Sequence, residues 1–294
     1  MAQSFLQKLF GGKGLRRYKI LHTLASGSMS TVYTAESPSH SLVALKISNP
    51  NSRKVMDRIN RDFRSGKTEG EVASCFKHPN IVKTFEYGPC AEGEWIAMEL
   101  MKGALLQDRI IEISRAMRAN DYKVFFAAGA GLQHIHDKGF VHRDFAPKNV
   151  FLLEKGVAKV FDFGLTVEVE MARVKEGNRT GSPSYMAPEV IRRSHTDHRV
   201  DIYAFGILLY ECLTGRKPTE GRGSLETIMT MLNQGLTPPS QLRDDVNPEI
   251  EKIVMKAAAK SPDQRFKSMN ELLDALEAAG AKGRAEATPP ADMA

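Results

Sequence analysis

The spacing of apolar residues changes close to residue 101, and this change constrains the fold more than any other feature of the sequence. Before it, short segments rich in β-branched and apolar residues alternate with Gly, Ser and Pro breaks, which is typical of strands. After it, the spacing becomes helical, and residues 124–136 form a strongly apolar stretch. The sequence therefore predicts an α+β fold with a β-rich first lobe and a mostly α-helical second lobe.

The first lobe is predicted to contain one helix among its strands. Residues 53 to about 76 are polar, charged and free of proline, so we expect an exposed helix there, which His78-Pro79-Asn80 terminates. In the second lobe, short strands interrupt the helical pattern at two places. The predicted strands, in chain order, cover residues 18–26, 31–36, 42–47, 81–87, 95–100, 150–153 and 157–161.

These patterns divide the chain into four segments. Residues 1–17 form an N-terminal leader, residues 18–101 the β-rich lobe and residues 102–278 the helical lobe. Residues 279–294 contain almost no large apolar side chains. Because such a segment cannot bury enough apolar surface to fold, we expect a disordered tail there.

The composition excludes several classes of protein. With 41 Lys and Arg against 35 Asp and Glu, the formal charge is +6, too small and too dispersed for a nucleic-acid-binding protein. No apolar run approaches the roughly 20 residues that a membrane-spanning helix needs, so no transmembrane span is predicted. The 3 cysteines are too few and too scattered for a disulfide framework or a thiolate metal site, so we expect a reducing, cytoplasmic location.

Basic residues are concentrated along the predicted helix of the first lobe, with Asp57 and Asp62 among them. Such a mixture is typical of a solvated helix face, which is the interpretation we favour. A docking surface for an acidic partner is the alternative. The basic residues concerned are Arg53, Lys54, Arg58, Arg61, Arg64 and Lys67.

Four polar signatures occur in a fixed order along the two lobes. Val43-Ala44-Leu45-Lys46 ends an apolar strand with a lysine, and His142-Arg143-Asp144 is followed by Asn149. Asp162-Phe163-Gly164 comes after a buried-looking strand, and Ala187-Pro188-Glu189 follows it. In this order and at these spacings, the segments resemble the signature set of the protein kinase family.

The resemblance covers about residues 18–275 and implies a two-lobed protein-kinase-like fold. It implies transfer of the γ-phosphoryl group of ATP to hydroxyl groups of a protein substrate, with Mg²⁺, or alternatively Mn²⁺, as the metal. Lys46 would bind the α- and β-phosphates, held in place by a glutamate of the helix. Glu69, nine residues before His78, has the spacing of that glutamate, and Glu71 is the nearby competitor.

The same resemblance implies roles for polar residues of the second lobe. Asp144 would accept or orient the proton of the substrate hydroxyl. Asn149 and Asp162 would supply the hard oxygen ligands that suit Mg²⁺. Lys148 would bring a cation close to the γ-phosphate, as a point charge.

The residues of the first lobe implied in ATP binding match the family less closely. The family loop reads G-x-G-x-x-G-x-V, and of its glycines only the middle one, Gly27, is retained. Glycine permits positive φ and close approach of the backbone, so Ala25 and Ser30 restrict the loop. Beyond the last strand, the Glu99 carbonyl and the Met101 amide are predicted to bind the adenine edge. The full set implied in ATP binding here is Ala25, Gly27, Val32, Ala44, Lys46, Glu69, Glu99 and Met101.

Two segments disagree about the residue that accepts the phosphate. The catalytic loop resembles that of tyrosine kinases, because Ala146 stands where serine/threonine kinases have lysine. Residues 181–186 resemble the substrate-facing segment of serine/threonine kinases, and they favour Ser or Thr because this segment contacts the surroundings of the acceptor. A pseudokinase that serves as a signalling or scaffold module, and a small-molecule phosphotransferase on a kinase-like fold, are the alternatives.

Other matching positions concern the scaffold. Asp201 resembles the aspartate that holds the backbone of the catalytic loop, and Arg265 the arginine that pairs with Glu189. His134 and His136 are two residues apart on a predicted helix and therefore point in different directions. We expect them to be scaffold residues, with His136 near the catalytic loop.

The remaining expectation concerns regulation. In the family, an arginine at the position of Arg143 commonly accompanies phosphorylation of the segment between the Asp-Phe-Gly and Ala-Pro-Glu signatures. Thr180 is the first candidate for such a site and Thr166 is another. Ser182 instead suits a structural hydroxyl beside Asp144.

Overall fold

The computed structural model describes residues 14–50, 53–154, 157–174, 181–218, 235–285 and 287. The chain divides into two compact units, called here the first and the second unit. The first unit comprises Met1–His78 and Val82–Lys102, and the second comprises Pro79–Ile81 and Gly103–Ala294. The division after Lys102 lies next to the boundary expected from the sequence.

The first unit is built on an antiparallel five-stranded sheet. Its strands are β1 (Lys19–Ser26), β2 (Ser30–Ser37), β3 (Ser41–Ser48), β4 (Thr84–Cys90) and β5 (Gly93–Glu99). They are ordered β1-β2-β3-β5-β4. Side chains alternate along β3, so Val43, Leu45 and Ile47 enter the core, each at most 1% exposed. Lys46 therefore points to the opposite face.

The single helix predicted over residues 53–76 is wrong. The structure has two helices there, α1 (Arg53–Phe63) and α2 (Glu69–Ser74). The chain leaves the helical conformation because Ser65 and Gly66 have positive φ angles, of 51° and 87°. A left-handed residue ends a right-handed helix, and glycine adopts that conformation without steric cost.

The exposed face of α1 combines basic and acidic residues. Arg53 lies 4.0 Å from Asp57, and Arg58 lies 3.7 Å from Asp62, both at the i, i+4 spacing that pairs side chains along a helix. Part of the positive charge of α1 is thus paired within the helix, which agrees with a solvated face. Arg64, which was predicted to belong to that face, is instead fully buried just after the helix. Docking of an acidic partner stays a prediction.

The predicted leader lies mostly outside the described residues. Its last residues form a 3₁₀ turn, Leu15–Arg17, and Leu15 packs into the core of the first unit. Arg17 and Tyr18 both donate hydrogen bonds to the carboxylate of Glu86 on β4. These contacts fasten the segment before β1 to the sheet.

The second unit is mostly helical. Its described α-helices are α3 (Ile110–Arg118), α4 (Lys123–Asp137), α5 (Val169–Val174), α6 (Pro188–Ile191), α7 (Arg199–Thr214), α8 (Pro248–Ala257) and α9 (Met269–Ala278). Its strands are β6 (Gly103–Leu105), β7 (Phe140–Val141), β8 (Val150–Leu153), β9 (Ala158–Val160) and β10 (Val167–Glu168). β6, β8 and β9 form one sheet, and β7 pairs with β10.

The predicted strands correspond to β1 to β5, β8 and β9. The largest difference concerns residues 81–87, where β4 begins only at Thr84. Ile81 instead forms a parallel bridge with Val160 and belongs to the second unit. An apolar run cannot by itself show which of two units will bury it.

Helix α7 lies at the centre of the second unit. Residues 200–213 are all buried. The helix packs closely on α8 because Gly206 has no side chain; a Cβ atom there would lie 2.7 Å from Cβ of Ala257. The buried position of α7 makes its first turn a rigid support for other segments. None of the described helices has the length and apolar character that crossing a lipid bilayer requires.

The expected disordered tail is partly folded. Within it, Ala281 and Ala287 are buried, and the Lys282 carbonyl accepts a hydrogen bond from the Tyr122 amide at 2.8 Å. The Ala287 carbonyl accepts one from Nδ2 of Asn80 at 2.7 Å. The lack of large apolar residues in this segment did not indicate that its alanines would be buried. Residues 286 and 288–294 lie outside the described residues.

Candidate active site

Lys46 and Glu69 form an ion pair within the first unit. Lys46 Nζ donates a hydrogen bond to Glu69 Oε1 at 2.6 Å, and Glu69 is only 5% exposed. Such a charge-assisted bond is short and strong, and shielding from water strengthens it further. The pairing follows from the alternation of β3, which turns Lys46 away from the core of the sheet.

Glu71, the competing glutamate, contacts a different group. Its carboxylate accepts the backbone N–H of Thr68 at 2.7 Å, and the Thr68 hydroxyl accepts the N–H of Glu71 at 3.3 Å. This capping box satisfies N–H groups at the start of α2. Of the two glutamates, Glu69 is therefore the one that pairs with Lys46. The Thr-x-x-Glu spacing is the sequence signal that distinguishes them.

The loop between β1 and β2 is held by a residue that the sequence did not single out. Asn49 Nδ2 donates to the Gly27 carbonyl at 2.7 Å, and Thr31 Oγ1 donates to Asn49 Oδ1 at 3.1 Å. Within the loop, the Gly27 N–H donates to the Ser30 carbonyl at 2.9 Å. Side-chain hydrogen bonds thus define the shape of a loop that has lost two of the family's glycines. Ala25 is exposed at the end of β1.

The other residues implied in ATP binding lie on the sheet and just beyond it. Ala44 on β3 pairs with Met98 on β5, and Val32 on β2 pairs with Lys46. The Glu99 amide donates to the Lys83 carbonyl at 2.9 Å, which fixes the last peptide of β5. Met101 follows the strand and is partly buried. Adenine binding by Glu99 and Met101 stays a prediction.

Asp144 is the most heavily bonded side chain of the catalytic loop in the second unit. Its Oδ1 accepts hydrogen bonds from the amide and the hydroxyl of Ser182, both at 2.7 Å. Its Oδ2 accepts one from Nδ2 of Asn149 at 3.0 Å and lies 2.8 Å from Nζ of Lys148. An ionised carboxylate offers about four acceptor positions, so these partners orient it fully. Asp144 is 6% exposed, whereas the Lys148 side chain is 46% exposed.

Asp201, in the first turn of α7, binds the backbone of this loop. Its two carboxylate oxygens accept the backbone amides of His142 and Arg143, each at 2.8 Å, and Oδ2 also lies 2.9 Å from Nε2 of His136. Burial by itself raises the pKa of Asp201, but the hydrogen bonds with His136 and His142 outweigh it and lower the pKa. Asp201 is therefore a charged anchor for the loop.

The anchor compensates for backbone strain in the loop. Arg143 has a φ of 66°, a backbone conformation that residues other than glycine seldom adopt. Such strain persists only where surrounding contacts impose it. The bond from the Arg143 amide to Asp201 is one of these contacts, and it turns the next residue, Asp144, towards Ser182.

Asn149 and Asp162, the predicted metal ligands, are brought close by the backbone. The amide of Phe161, which precedes Asp162, donates to the Asn149 carbonyl at 3.1 Å. The Asn149 side-chain nitrogen donates to the Asp144 carbonyl at 2.7 Å and to its carboxylate, which leaves Oδ1 as the acceptor atom of the amide. An amide oxygen and a carboxylate are ligands that Mg²⁺ accepts when phosphate oxygens supply the rest. The chemistry of the pair suits such an ion, and metal binding by these residues stays a prediction.

The segment that follows is anchored to the core of the second unit. Tyr185 donates a hydrogen bond to Glu211 of α7. Arg265 makes a bidentate pair with Glu189, at 2.6 Å and 2.8 Å, and its side chain is fully buried. The Glu189–Arg265 pair and the contact of Ser182 with Asp144 agree with the sequence analysis. Glu211 was not predicted, because only the fold brings it to Tyr185.

The two candidate phosphorylation sites have different outcomes. Thr166 is fully buried, and its hydroxyl points at the carbonyl of His142. A kinase cannot reach this hydroxyl in the folded chain, so Thr166 is a wrong candidate. Its sequence position beside Asp162-Phe163-Gly164 gave no sign of burial. Thr180 lies outside the described residues.

Known proteins resemble this chain over most of its length. Residues 18–275 match the family described as protein kinase domain. The chain is 31% identical over 267 residues to a probable serine/threonine-protein kinase of Clostridium perfringens, an alignment that covers 89% of this chain and 38% of that protein. It is 30% identical over 266 residues to serine/threonine-protein kinase PrkC of Bacillus subtilis, covering 90% and 40%.

A third relative carries a different name. The chain is 31% identical over 283 residues to tyrosine-protein kinase MasK of Myxococcus xanthus, covering 88% of this chain and 42% of that protein. The chain spans about two fifths of the length of these three relatives. Because the family match extends over most of its residues, this chain belongs to the protein kinase family.

Proposed function

We propose that this chain is an ATP- and Mg²⁺-dependent protein kinase that phosphorylates serine and threonine hydroxyls. The observation that carries the proposal is the environment of Asp144, whose carboxylate is oriented by Ser182, Lys148 and Asn149. A base for a hydroxyl proton must be held in one orientation within reach of that proton. These partners support that requirement.

In the proposed reaction, the substrate hydroxyl gives its proton to Asp144 as its oxygen bonds to the γ-phosphorus of ATP. The bond from that phosphorus to the bridging β–γ oxygen breaks, and ADP leaves. Lys46 would bind the α- and β-phosphates, and Asn149 and Asp162 would hold the metal. Mg²⁺, when bound, would supply positive charge that neutralises phosphate oxygens.

In this proposal, Lys148 replaces the lysine that serine/threonine kinases have two residues after the catalytic aspartate. Ala146 stands where serine/threonine kinases have that lysine, so another cation must lie beside the γ-phosphate. The Lys148 ammonium is 2.8 Å from Asp144 Oδ2 and half exposed, so it can bind a phosphate oxygen without leaving the carboxylate. This contact weighs against the alternative of a pseudokinase, which the altered residues Ala25, Ser30 and Ala146 would otherwise favour.

The test is transfer of radiolabelled phosphate from ATP to a generic basic protein. We expect incorporation with Mg²⁺, none with EDTA, and a loss of about a hundredfold or more in Lys46→Met and Asp162→Asn. Lys102→Met and Asp108→Asn remove exposed charges of the same type and serve as matched controls. No incorporation with either Mg²⁺ or Mn²⁺ would support the pseudokinase, and labelling of small acceptors alone would support a small-molecule phosphotransferase.

Acid hydrolysis of the labelled protein then identifies the acceptor. We expect phosphoserine and phosphothreonine, because residues 181–186 resemble serine/threonine kinases and two of the relatives described above carry that name. Phosphotyrosine as the main product would instead agree with the tyrosine-kinase-like order Ala146-Pro147-Lys148. It would also match the name of the Myxococcus relative.

A further inference from the structure

Helix α2, which carries Glu69, is too short to define its own position. It has 6 residues, and Glu69 is the first of them. Isolated helices shorter than about 12 residues are marginal in water, because too few hydrogen bonds offset the cost of nucleation. The position of Glu69 must therefore come from contacts with other elements of the first unit.

Glu94, at the start of β5, supplies such contacts. One of its carboxylate oxygens accepts the backbone N–H of Glu69 at 3.0 Å, and the other accepts the N–H of Gly70, also at 3.0 Å. These N–H groups have no partner inside a helix at its first turn. Glu69 is thus held at both ends, its amide by Glu94 and its carboxylate by Lys46.

The close approach of α2 to the sheet depends on Gly70. A Cβ atom at this position would lie 2.5 Å from Cβ of Tyr87 on β4, closer than real atoms approach. Any larger residue would push α2 away from the sheet and lengthen the bonds to Glu94. Gly70 and Glu94 therefore both keep α2 close to the sheet.

This arrangement has an electrostatic cost that a purely structural cap would avoid. Burial raises the pKa of Glu94, and the neighbouring charge of Glu69 raises it further. Thr68 and Glu71 already cap the same helix through a pair of partly buried hydrogen bonds. Because the helix already has a cap, capping alone does not explain the partly buried Glu94. Its effect on the position of Glu69 does.

We propose that Glu94 is a positioning residue for phosphoryl transfer, holding Glu69 in the orientation that pairs with Lys46. The proposal rests on the proposed kinase function, since Lys46 and Glu69 matter to transfer only if the chain is a kinase. In this role, Glu94 contacts neither ATP nor the protein substrate. It acts through the main chain of α2.

The central experiment compares Glu94→Gln with Glu71→Gln. Glu71→Gln removes one negative charge at the same end of α2 but keeps an acceptor for the Thr68 amide and leaves the Glu69 amide bonded, so it reports the effect of losing charge alone. We expect kcat to fall about tenfold to a hundredfold in Glu94→Gln, because small displacements of a phosphate-binding group have effects of this size. We expect Glu71→Gln to remain within about threefold of the parent. Equal effects of both variants would overturn the proposal.

A double-mutant cycle shows whether Glu94 acts through Glu69. In a Glu69→Gln background, Glu94→Gln should lower kcat no further, because the orientation that it preserves no longer matters. Additive losses would contradict the proposal. Should Glu94→Gln fail to fold, Glu94→Asp keeps the charge but is too short for both N–H bonds, and it is measured in the same cycle.

A chemical measurement separates this proposal from the proposed function. The reactivity of Lys46 towards an acylating reagent, read by mass spectrometry, does not require catalysis. We expect Lys46 to be modified several times faster in Glu94→Gln than in the parent, because the ammonium loses its partner. An inactive parent protein with this change in reactivity would refute the kinase function alone. An active parent protein with unchanged Lys46 reactivity in Glu94→Gln would refute the role of Glu94.

Discussion

The ammonium group of Lys148 lies 2.8 Å from Oδ2 of Asp144, four residues earlier in the chain. The contact joins a half-exposed cation to a buried carboxylate, so the cation can reach a ligand while the carboxylate stays fixed. No other residue of the loop 144–149 carries a positive charge. Between Asp144 and Asn149, the positive charge therefore depends on Lys148 alone.

Replacing Lys148 by methionine should lower kcat by about tenfold to a hundredfold, because a charge that stabilises the transferred phosphoryl group is lost. The KM for ATP should change little, since Lys46 and the metal ligands remain. Steady-state kinetics with a basic protein substrate measure both constants. Lys138→Met, at an exposed position after α4, is the matched control. Parent-like kcat in Lys148→Met would exclude the proposed role.

Ser182→Ala should lower kcat by about tenfold. The hydroxyl bond to Asp144 is lost while the amide bond remains, and one hydrogen bond to a charged group contributes about 1.5 kcal/mol. Ser182→Thr keeps the hydroxyl and should restore the activity. Single-turnover rates with saturating ATP provide the measurement. Failure of threonine to rescue the rate would show that the hydroxyl is not the relevant group.

Glu189→Gln should lower the free energy of unfolding by about 3–5 kcal/mol, because it leaves the fully buried guanidinium of Arg265 without its counter-charge. Urea unfolding monitored by circular dichroism measures the change. Asp263→Asn is the control, since Asp263 pairs with Arg199 at 2.8 Å but is 86% exposed. An exposed pair contributes at most about 1 kcal/mol. Similar losses in both variants would contradict the prediction.

Glu211 should make stability depend on pH in a defined direction. Burial raises the pKa of Glu211, and the Tyr185 hydrogen bond and the Lys217 charge offset only part of that rise. The native state therefore favours the protonated carboxyl more than the unfolded state does. The contribution of Glu211 to stability is complete below the unfolded pKa of about 4.3. It is lost as pH rises through the higher native pKa.

Glu211→Gln tests this direction, because glutamine can accept the Tyr185 hydrogen bond and never ionises. The free energy of unfolding of the variant, relative to the parent, should increase from pH 4 upwards and level off above the native pKa. Urea titrations across this range measure the difference. Glu249→Gln, on the exposed surface of α8, is the control for a general change in charge. A difference that decreases with rising pH would show that the sign is wrong.

Much of the candidate site was predictable from the sequence because phosphoryl transfer needs particular residue types at particular separations. Asp144, Asn149 and Asp162 belong to short segments whose spacing the chemistry constrains. Glu69 was found by its distance from His78, and the structure pairs it with Lys46. Such local signals survive even where the surrounding sequence has changed.

The elements that were missed depend on conformation or on long-range contact. The break between α1 and α2 follows from the positive φ of Ser65, which a polar, proline-free sequence does not reveal. Asn49 and Glu94 bind backbone groups far away in the chain, and a side chain that recognises an amide needs no particular residue opposite it. No pairing pattern in the sequence can therefore identify these contacts.

The hydrogen bonds between Asp201 and the catalytic loop limit how far substitutions in the loop can alter its path. Asp201 binds the main-chain amides of His142 and Arg143, and every residue type except proline provides an amide. Mutations can therefore replace side chains near Asp144 without changing the path of the loop. A frame built on backbone contacts thus leaves an exposed side chain of the loop, such as Lys148, open to substitution while the path of the main chain stays the same.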